Sequence, residues 1–336
     1  MERQGRVTIS DVARSAGVSV ATVSKVVNGR YGVALATSAR VQEVIDQLGY
    51  ESSLVARSLR STRTNVIGIL VAEFEPFSTE LLKGTSSAIA HTGYELLAYT
   101  GGGRHGSNVG WERRYLSRLS GTLIDGAILA TPTVVDAQPG IPVVAVDPHR
   151  GRTGLTTVDS DNQHGAVLAI EYLLRLGHRR IGFLGGRPDL ESALLREEGY
   201  KKALTAAGIP VDPALMRVGG YRSETADQPA HELLTLPERP TAIFAANDLS
   251  AIRTMEVARS LGISVPNELS VIGFDNVPES AMTTPPLTTV NQPIQQMGAE
   301  AVGLLIAMMD GTSTGGMHVT LATDLVIRGS CRAIEA

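Results

Sequence analysis

The chain has one cysteine, Cys331, so it can form no intrachain disulfide and offers no cysteine cluster to a structural metal. That thiol reads as incidental. No run of about 18 apolar residues occurs, which excludes a membrane-spanning helix. The start Met1-Glu2-Arg3-Gln4-Gly5 also lacks the apolar stretch of a secretory leader, so the chain is expected to act in the cytoplasm, away from membranes. The seven histidines are scattered, none at metal-ligand spacing from another histidine or a carboxylate on one helix face, and no metal or other cofactor is expected. Gly-x-Gly-x-x-Gly, a Gly-Lys-Ser/Thr phosphate loop and a Gly-x-Ser-x-Gly elbow are all missing. An enzyme therefore finds no support, and Gly101-Gly102-Gly103 reads as a flexible loop.

What is present suffices for a large soluble protein: 336 residues, 43% of them apolar, can bury the cores of two or three folding units. The net charge of −4 argues against a protein that simply coats nucleic acid, but the charge is uneven. The first sixty residues hold eight lysines and arginines against five carboxylates, a mildly basic head on an acidic body. Such a head suits local contact with phosphates.

Ile9, Val12, Ala13 and Ala16 follow the i, i+3, i+4, i+7 spacing of one apolar helix stripe, with Thr8 placed to cap it and Gly17 to end it. Ser19 can cap a second helix running to about Asn28, whose Val23, Val26 and Val27 face the first across a tight turn. Val41, Val44, Ile45 and Leu48 mark a third helix, from near Thr37 to Gly49, that closes a three-helix core. The outward face of the second helix, Val20, Ala21, Thr22, Ser24, Lys25 and Asn28, is small or hydrogen-bonding, a surface that a DNA major groove admits.

The stretches Val7-Thr8-Ile9-Ser10-Asp11-Val12-Ala13, Ala16-Gly17-Val18-Ser19 and Thr22-Val23-Ser24-Lys25-Val26-Val27-Asn28-Gly29 match the lactose/galactose-repressor signature almost position by position, and the chain resembles that family. The resemblance implies that Val20 and Ala21 select bases, with Lys25 one turn further along, and that Thr8, Ser19 and Asn28 hold phosphates. Residues 53–60 resemble the family's hinge helix, which forms when two copies pack over the minor groove, with Ala56 allowing close approach and Leu59 acting as a wedge. The chain departs from the family at Ser52, where relatives have proline, and at Leu35-Ala36, where they start the third helix with acidic residues.

Beyond Arg63, apolar runs alternate with amphipathic helices. Strands are predicted at Val66–Val71, Glu95–Tyr99, Gly126–Ala130, Val143–Val146, Arg180–Leu184, Ala242–Ala245 and Ser270–Phe274. Helices are predicted near Thr79–His91, Val109–Leu119, Asn162–Leu176, Arg196–Ala207, Ser223–Leu236 and Ser250–Leu261. This is an α/β pattern of two parallel sheets covered on both faces. The resemblance extends over this body and implies a two-lobed fold like a periplasmic binding protein, recrossed near 161, 291 and 321. The expected domains are a headpiece with hinge helix at 1–62 and an effector body at 63–336. The N-lobe would take 63–160 and 291–320, and the C-lobe 161–290 and 321–336.

Ligands of open parallel sheets bind beyond the strands' carboxyl ends. There Asp275 follows a buried strand and matches the family's effector aspartate. Arg196, expected to open its helix, matches the effector arginine, and Tyr221 occupies the family's aromatic position. Asn247 is expected to touch ligand while Asp248 caps the following helix; Asp147 and Phe77 are weaker candidates, and Glu73 shares the same mouth. Charged and amide groups with one aromatic ring suit a sugar, whereas a planar nucleobase favours two facing rings. The partners expected are pseudo-palindromic operator DNA, a sugar effector and a second copy of the chain, since two half-sites demand two-fold symmetry. Co-repression by a nucleobase or another metabolite is the alternative mode. A sugar receptor without DNA function is the rival from another class, but residues 1–60 would then have no role.

Overall fold

A computed structural model describes residues 7–27, 31–50, 63–101, 110–133, 140–149 and 154–334. The expected hinge helix at 53–60, with Ala56 and Leu59, lies outside these residues, as does Asn28. The contacts divide the chain into two compact units, Met1–Thr64 and Asn65–Ala336.

The first unit is built from α1 (Ile9–Ala16), α2 (Val20–Val27) and α3 (Leu35–Leu48). Thr8 and Asp11 close a capping box on α1: the threonine hydroxyl and backbone N–H both donate to Asp11, whose own N–H bonds back. Gly17 and Gly49 end α1 and α3 in the left-handed conformation, which costs glycine nothing. Ser19 Oγ accepts the Thr22 N–H at 3.1 Å and caps α2. Val12, Ala13, Ala16, Val23 and Val41 form the buried centre. Helix α3 begins two residues before the expected Thr37, because the Ala34 carbonyl accepts the N–H groups of Thr37 and Ser38 and draws Leu35-Ala36 into the first turn.

The second unit contains two six-stranded sheets. The first runs in the order β11-β5-β4-β3-β1-β2, all parallel: β1 Val66–Val71, β2 Glu95–Thr100, β3 Gly126–Ala130, β4 Val143–Val146, β5 Thr156–Ser160 and β11 His318–Leu321. The second runs β12-β10-β9-β8-β6-β7: β6 Ile181–Gly185, β7 Met216–Val218, β8 Ala242–Ala245, β9 Ser270–Asp275, β10 Thr288–Asn291 and β12 Asp324–Val326, the last antiparallel. Strands β1, β3, β4, β6, β8 and β9 are buried along their whole length, as parallel strands covered on both faces must be.

The chain passes between the sheets after β5, after β10 and after β11. Helix α4 (Pro76–Ile89) packs on α11 (Ile294–Met309), although more than 200 residues separate them. Their backbones meet closely: a Cβ on Gly84 would lie 1.9 Å from the Gln295 carbonyl oxygen, and one on Gly298 would lie 2.5 Å from that of Leu81. The remaining helices are α5 (Trp111–Leu119), α6 (Asn162–Arg175), α7 (Glu191–Ala206), α8 (Ser223–Leu234), α9 (Asp248–Ser260) and α10 (Pro278–Met282). Helix α7 begins five residues earlier than expected, which puts Arg196 on its second turn, facing inward, and not at its opening. His178 is structural: it bonds Thr241 and Ser270 and lies against the Arg332 carbonyl, tying the C-terminal segment down.

Candidate functional site

On α2 of the first unit, Val23 points into the core while Val20, Ala21 and Lys25 are exposed and Thr22 and Ser24 half-buried. Val20 leaves 44% of its surface to solvent, a large apolar residue on a face otherwise polar or small. Ser19 and Thr22 share a hydroxyl contact of 2.9 Å beside it, and Thr8 is exposed but already engaged with Asp11. The face offers a thymine-methyl-sized apolar contact, a small residue and one long cation within two turns.

In the second unit the sheet orders reverse between β1 and β3 and between β6 and β8, and a cleft opens at the carboxyl ends there. It encloses about 1080 Å³ of space continuous with solvent. Each strand exit contributes: Glu73 and Glu75 from β1, Thr131 and Thr133 from β3, Asp147 and His149 from β4, Arg187 from β6, Tyr221 and Arg222 from β7, Asn247 from β8 and Asp275 from β9. Thr131, Asp147, Tyr221 and Asp275 all have positive φ, between 45° and 111°, so the backbone is strained where it aims these side chains inward.

Arg196 is the buried hub. Its Nε donates to Asn162 Oδ1 at 2.9 Å, Nη1 to the Ala246 carbonyl at 2.5 Å and to Asp275 Oδ1 at 3.3 Å, and Nη2 to Gln292 Oε1 at 2.7 Å, while the guanidinium carbon lies 3.7 Å from the centre of the Phe274 ring. Four of its five N–H groups are thus committed to protein, so it presents one free donor and not an open fork. Asn162 and Gln292 each follow a crossover between the lobes, and the arginine ties both to the cleft floor.

Burial pushes the Asp275 carboxyl up to about 7; Arg196 pulls it down, while the charges of Asp147 and Glu75 raise it further. Burial likewise raises Asp147 to about 6, against the pull of Arg196 and with the help of Asp159. His149 is pushed down to about 4, by burial first and then by Arg187, so its 3.4 Å approach to Asp189 joins a neutral imidazole to a carboxylate. The Tyr221 ring lies against Gly186, where a Cβ would fall 2.2 Å from its Cζ, and its buried hydroxyl has no partner. Phe77 and Trp111 also line the cleft, and the buried Trp111 indole N–H is unpartnered as well. Beside Trp111, the Glu112 carboxylate accepts from the Thr133 backbone and hydroxyl and holds the β3 exit loop.

A profile described as "Bacterial regulatory proteins, lacI family" matches residues 8–53, and one described as "Periplasmic binding protein-like domain" matches residues 170–331. The HTH-type transcriptional repressor PurR of Vibrio atlanticus is 35% identical over 307 residues, covering 89% of this chain and 91% of its own. The chain belongs to the lacI family. As a member of that family it is a DNA-binding transcriptional regulator with a ligand-binding body. The solved complex of the transcriptional regulator CelR with cellobiose is 32% identical with a TM-score of 0.73, covering 97% of this chain and all of its own. The lac repressor dimer bound to operator and the anti-inducer ONPF is 27% identical with a TM-score of 0.82, covering 98% of this chain and all of its own.

Against the sequence reading, the lacI-family body brings Arg196, Tyr221, Asn247, Asp275, Asp147 and Phe77 to one cleft, Glu73 included. Two details change. Asn247, not Asp248, caps α9: its Oδ1 accepts the Ser250 N–H and its Nδ2 donates to the Tyr221 carbonyl. Asp248 is fully buried and accepts the Val277 N–H and the Thr289 hydroxyl. The cleft also carries Trp111 beside the expected Tyr221 and the weaker candidate Phe77, none of the three rings in contact with another among the described residues. Glu75, Trp111, His149 and Arg187 escaped the sequence reading, although each lies beyond a strand exit or begins a helix.

Proposed function

We propose that the protein is a repressor of carbohydrate-utilisation genes whose grip on operator DNA is relieved by a sugar bound between the lobes. The carrying observation is the cleft itself. Carboxylates, an arginine, threonine hydroxyls and unpartnered tyrosine and indole donors converge from both lobes around rings that do not touch one another, a set that can partner each hydroxyl of a polyol when water is expelled. The sugar complex of CelR, on the same fold over nearly the whole chain, supports this reading.

In this reading residues 1–62 are the DNA-binding headpiece and 63–336 the effector body. Val20, Ala21 and Lys25 read bases while Ser19, Thr22, Ser24, Thr8 and Asn28 position on phosphates, with Ala56 and Leu59 acting at the minor groove. Asp275 accepts ligand hydroxyls, Arg196 holds Asp275 in place, and Tyr221 meets the sugar's apolar face. The protein works as a cytoplasmic homodimer without enzymatic activity; no helix among the described residues is long and apolar enough to cross a membrane. Relief requires the sugar to favour one lobe arrangement over the other, because equal affinity for both shifts nothing.

The test is a melting-temperature screen of the full chain against sugars and nucleosides, followed by operator-DNA anisotropy with each hit. A sugar that raises the melting temperature and lowers operator affinity supports the reading. A sugar that tightens operator binding keeps the pocket and overturns the inducer role, and stabilisation by nucleosides alone overturns the ligand class.

A further inference from the structure

The cleft has more negative than positive charge left once its internal pairs are made. Arg222 is taken by Glu73 at 2.7 Å, Arg187 by Asp189 at 2.6 Å, and Arg196 by Asp275 at 3.3 Å. His149 is neutral near pH 7 because burial has pushed its pKa down to about 4. Every cation lining the cleft among the described residues is therefore spoken for, while Glu75 and Asp147 have no counter-charge of their own there, the Asp147 carboxylate being met only by the Ser192 hydroxyl.

These two carboxylates share one wall. Glu75 precedes α4 at the β1 exit and caps nothing with its side chain, and Asp147 directly follows β4 with 9% of its surface exposed. Both lie near enough to Asp275 for their charges to act on it. Behind Asp147, Asp159 and Glu191 add negative charge from the wall of a second cavity. The opposite wall, with Tyr221, Asn247 and Asp275, carries the hydroxyl-binding set.

A neutral ligand that closed this cleft would strip water from two carboxylates without a counter-charge, and an anionic one would add a third charge of the same sign. An ammonium supplies three donors and the missing counter-charge together. Resting on the sugar reading above, we propose that the effector is an amino sugar, its ammonium lodged on the first-lobe wall against Glu75 and Asp147 and its hydroxyls on the second-lobe wall. Trp111 Nε1 and Tyr221 Oη, the buried unpartnered donors, then take ring or hydroxyl oxygens of the same molecule. Sugar phosphates and uronates are excluded by the same charges.

The experiment is isothermal titration of the full chain with sugars matched except at one substituent: glucosamine against glucose, galactosamine against galactose, and the β-1,4-linked glucosamine disaccharide against cellobiose, each with its N-acetyl derivative. In at least one set the free amine should bind at least tenfold more tightly than the hydroxyl member, about 1.4 kcal/mol, and acetylation should remove that advantage. Glu75→Gln and Asp147→Asn should each shrink it, and the double variant should abolish it. If the hydroxyl members bind as well as or better than the amines, or if the preference survives in the double variant, the amino-sugar assignment is overturned and the sugar reading stands. If no sugar of either kind binds, both are overturned.

Discussion

Glu73 and Arg222 meet at 2.7 Å across the mouth of the cleft, one from each lobe, with 39% and 54% of their side chains exposed. Near them the Glu191 N–H reaches the His149 carbonyl at 3.1 Å, a backbone bond between the same two lobes. An exposed pair of this kind contributes about 0.2–1 kcal/mol and is screened by salt. Glu73→Gln should therefore weaken effector binding by a few-fold at most, and the variant's binding should respond less to added salt than the wild type's. Titrations at low and high ionic strength check this; an unchanged salt response would mean that the pair does not help to hold the cleft shut.

The buried carboxyls give a pH dependence of known sign. Asp147 has a folded pKa near 6, above its unfolded value, so its contribution is fully present below the unfolded pKa and is lost as pH rises through 6. His149, depressed to about 4, acts in the opposite direction between about 4 and 6.5 and would mask the effect in the wild type alone. Asp147→Asn removes the Asp147 slope alone, and comparison of the variant with the wild type isolates it from those of His149 and Asp275. Relative to wild type, the variant's unfolding free energy should rise by about 1–3 kcal/mol between acid and mildly alkaline pH. Urea unfolding of both proteins across that range measures it, and a difference that stays flat would show that Asp147 does not titrate as its surroundings demand.

Asp275→Ala leaves the Arg196 charge buried without its carboxylate, a loss of about 3–5 kcal/mol, whereas Asp275→Asn keeps the volume and an acceptor. Both variants should bind operator DNA in the absence of effector, and neither should be released by a sugar that releases the wild type. Release of the asparagine variant at wild-type sugar concentrations would remove Asp275 from the ligand site.

Gly186→Ala should displace the Tyr221 ring, because the new Cβ would sit 2.2 Å from its Cζ. Effector affinity should fall about tenfold or more, near 1.4 kcal/mol, with operator affinity retained. Calorimetry with any sugar that binds the wild type decides it, and an unchanged dissociation constant would mean that the ring makes no contact that matters.

Lys25→Ala should cost about 1–3 kcal/mol of operator binding and alter base preference at one position in each half-site. Anisotropy on a set of single-base operator variants separates the outcomes: a uniform loss across all sequences would make Lys25 a phosphate contact.

The headpiece was legible because its helices are punctuated locally. Thr8, Gly17, Ser19 and Gly49 act on their own neighbours, and their roles do not depend on distant chain. The central strands were legible because full burial demands continuous apolar runs. Strand β5, Thr156–Ser160, has no such run, and β7, β11 and β12 are short segments at or near sheet edges. Asp275 and Tyr221 could be placed by family position, but the commitment of Arg196 to Asn162 and Gln292 depends on two crossovers that local periodicity does not record. Reading every polar residue within three positions of a strand's carboxyl end would have added Thr131, Thr133, His149 and Arg187. It would not have shown which carboxylates end without a counter-charge, since that depends on how the second lobe meets the first.

The late return of the chain to its first sheet sets the order in which the protein can be made. Strand β5 borders β11 at Thr157 and His318, and α4 rests on α11, so the first lobe lacks an edge strand and a covering helix until the ribosome has passed residue 321. The second lobe's strands β6 to β10 are translated in one stretch before that point. The lobe that begins first therefore stays incomplete until five of the second lobe's six strands have been made, with its apolar sheet face open through most of synthesis. Premature termination anywhere before residue 294 leaves that face without α11, which makes such fragments targets for chaperones and proteases whatever the state of the second lobe.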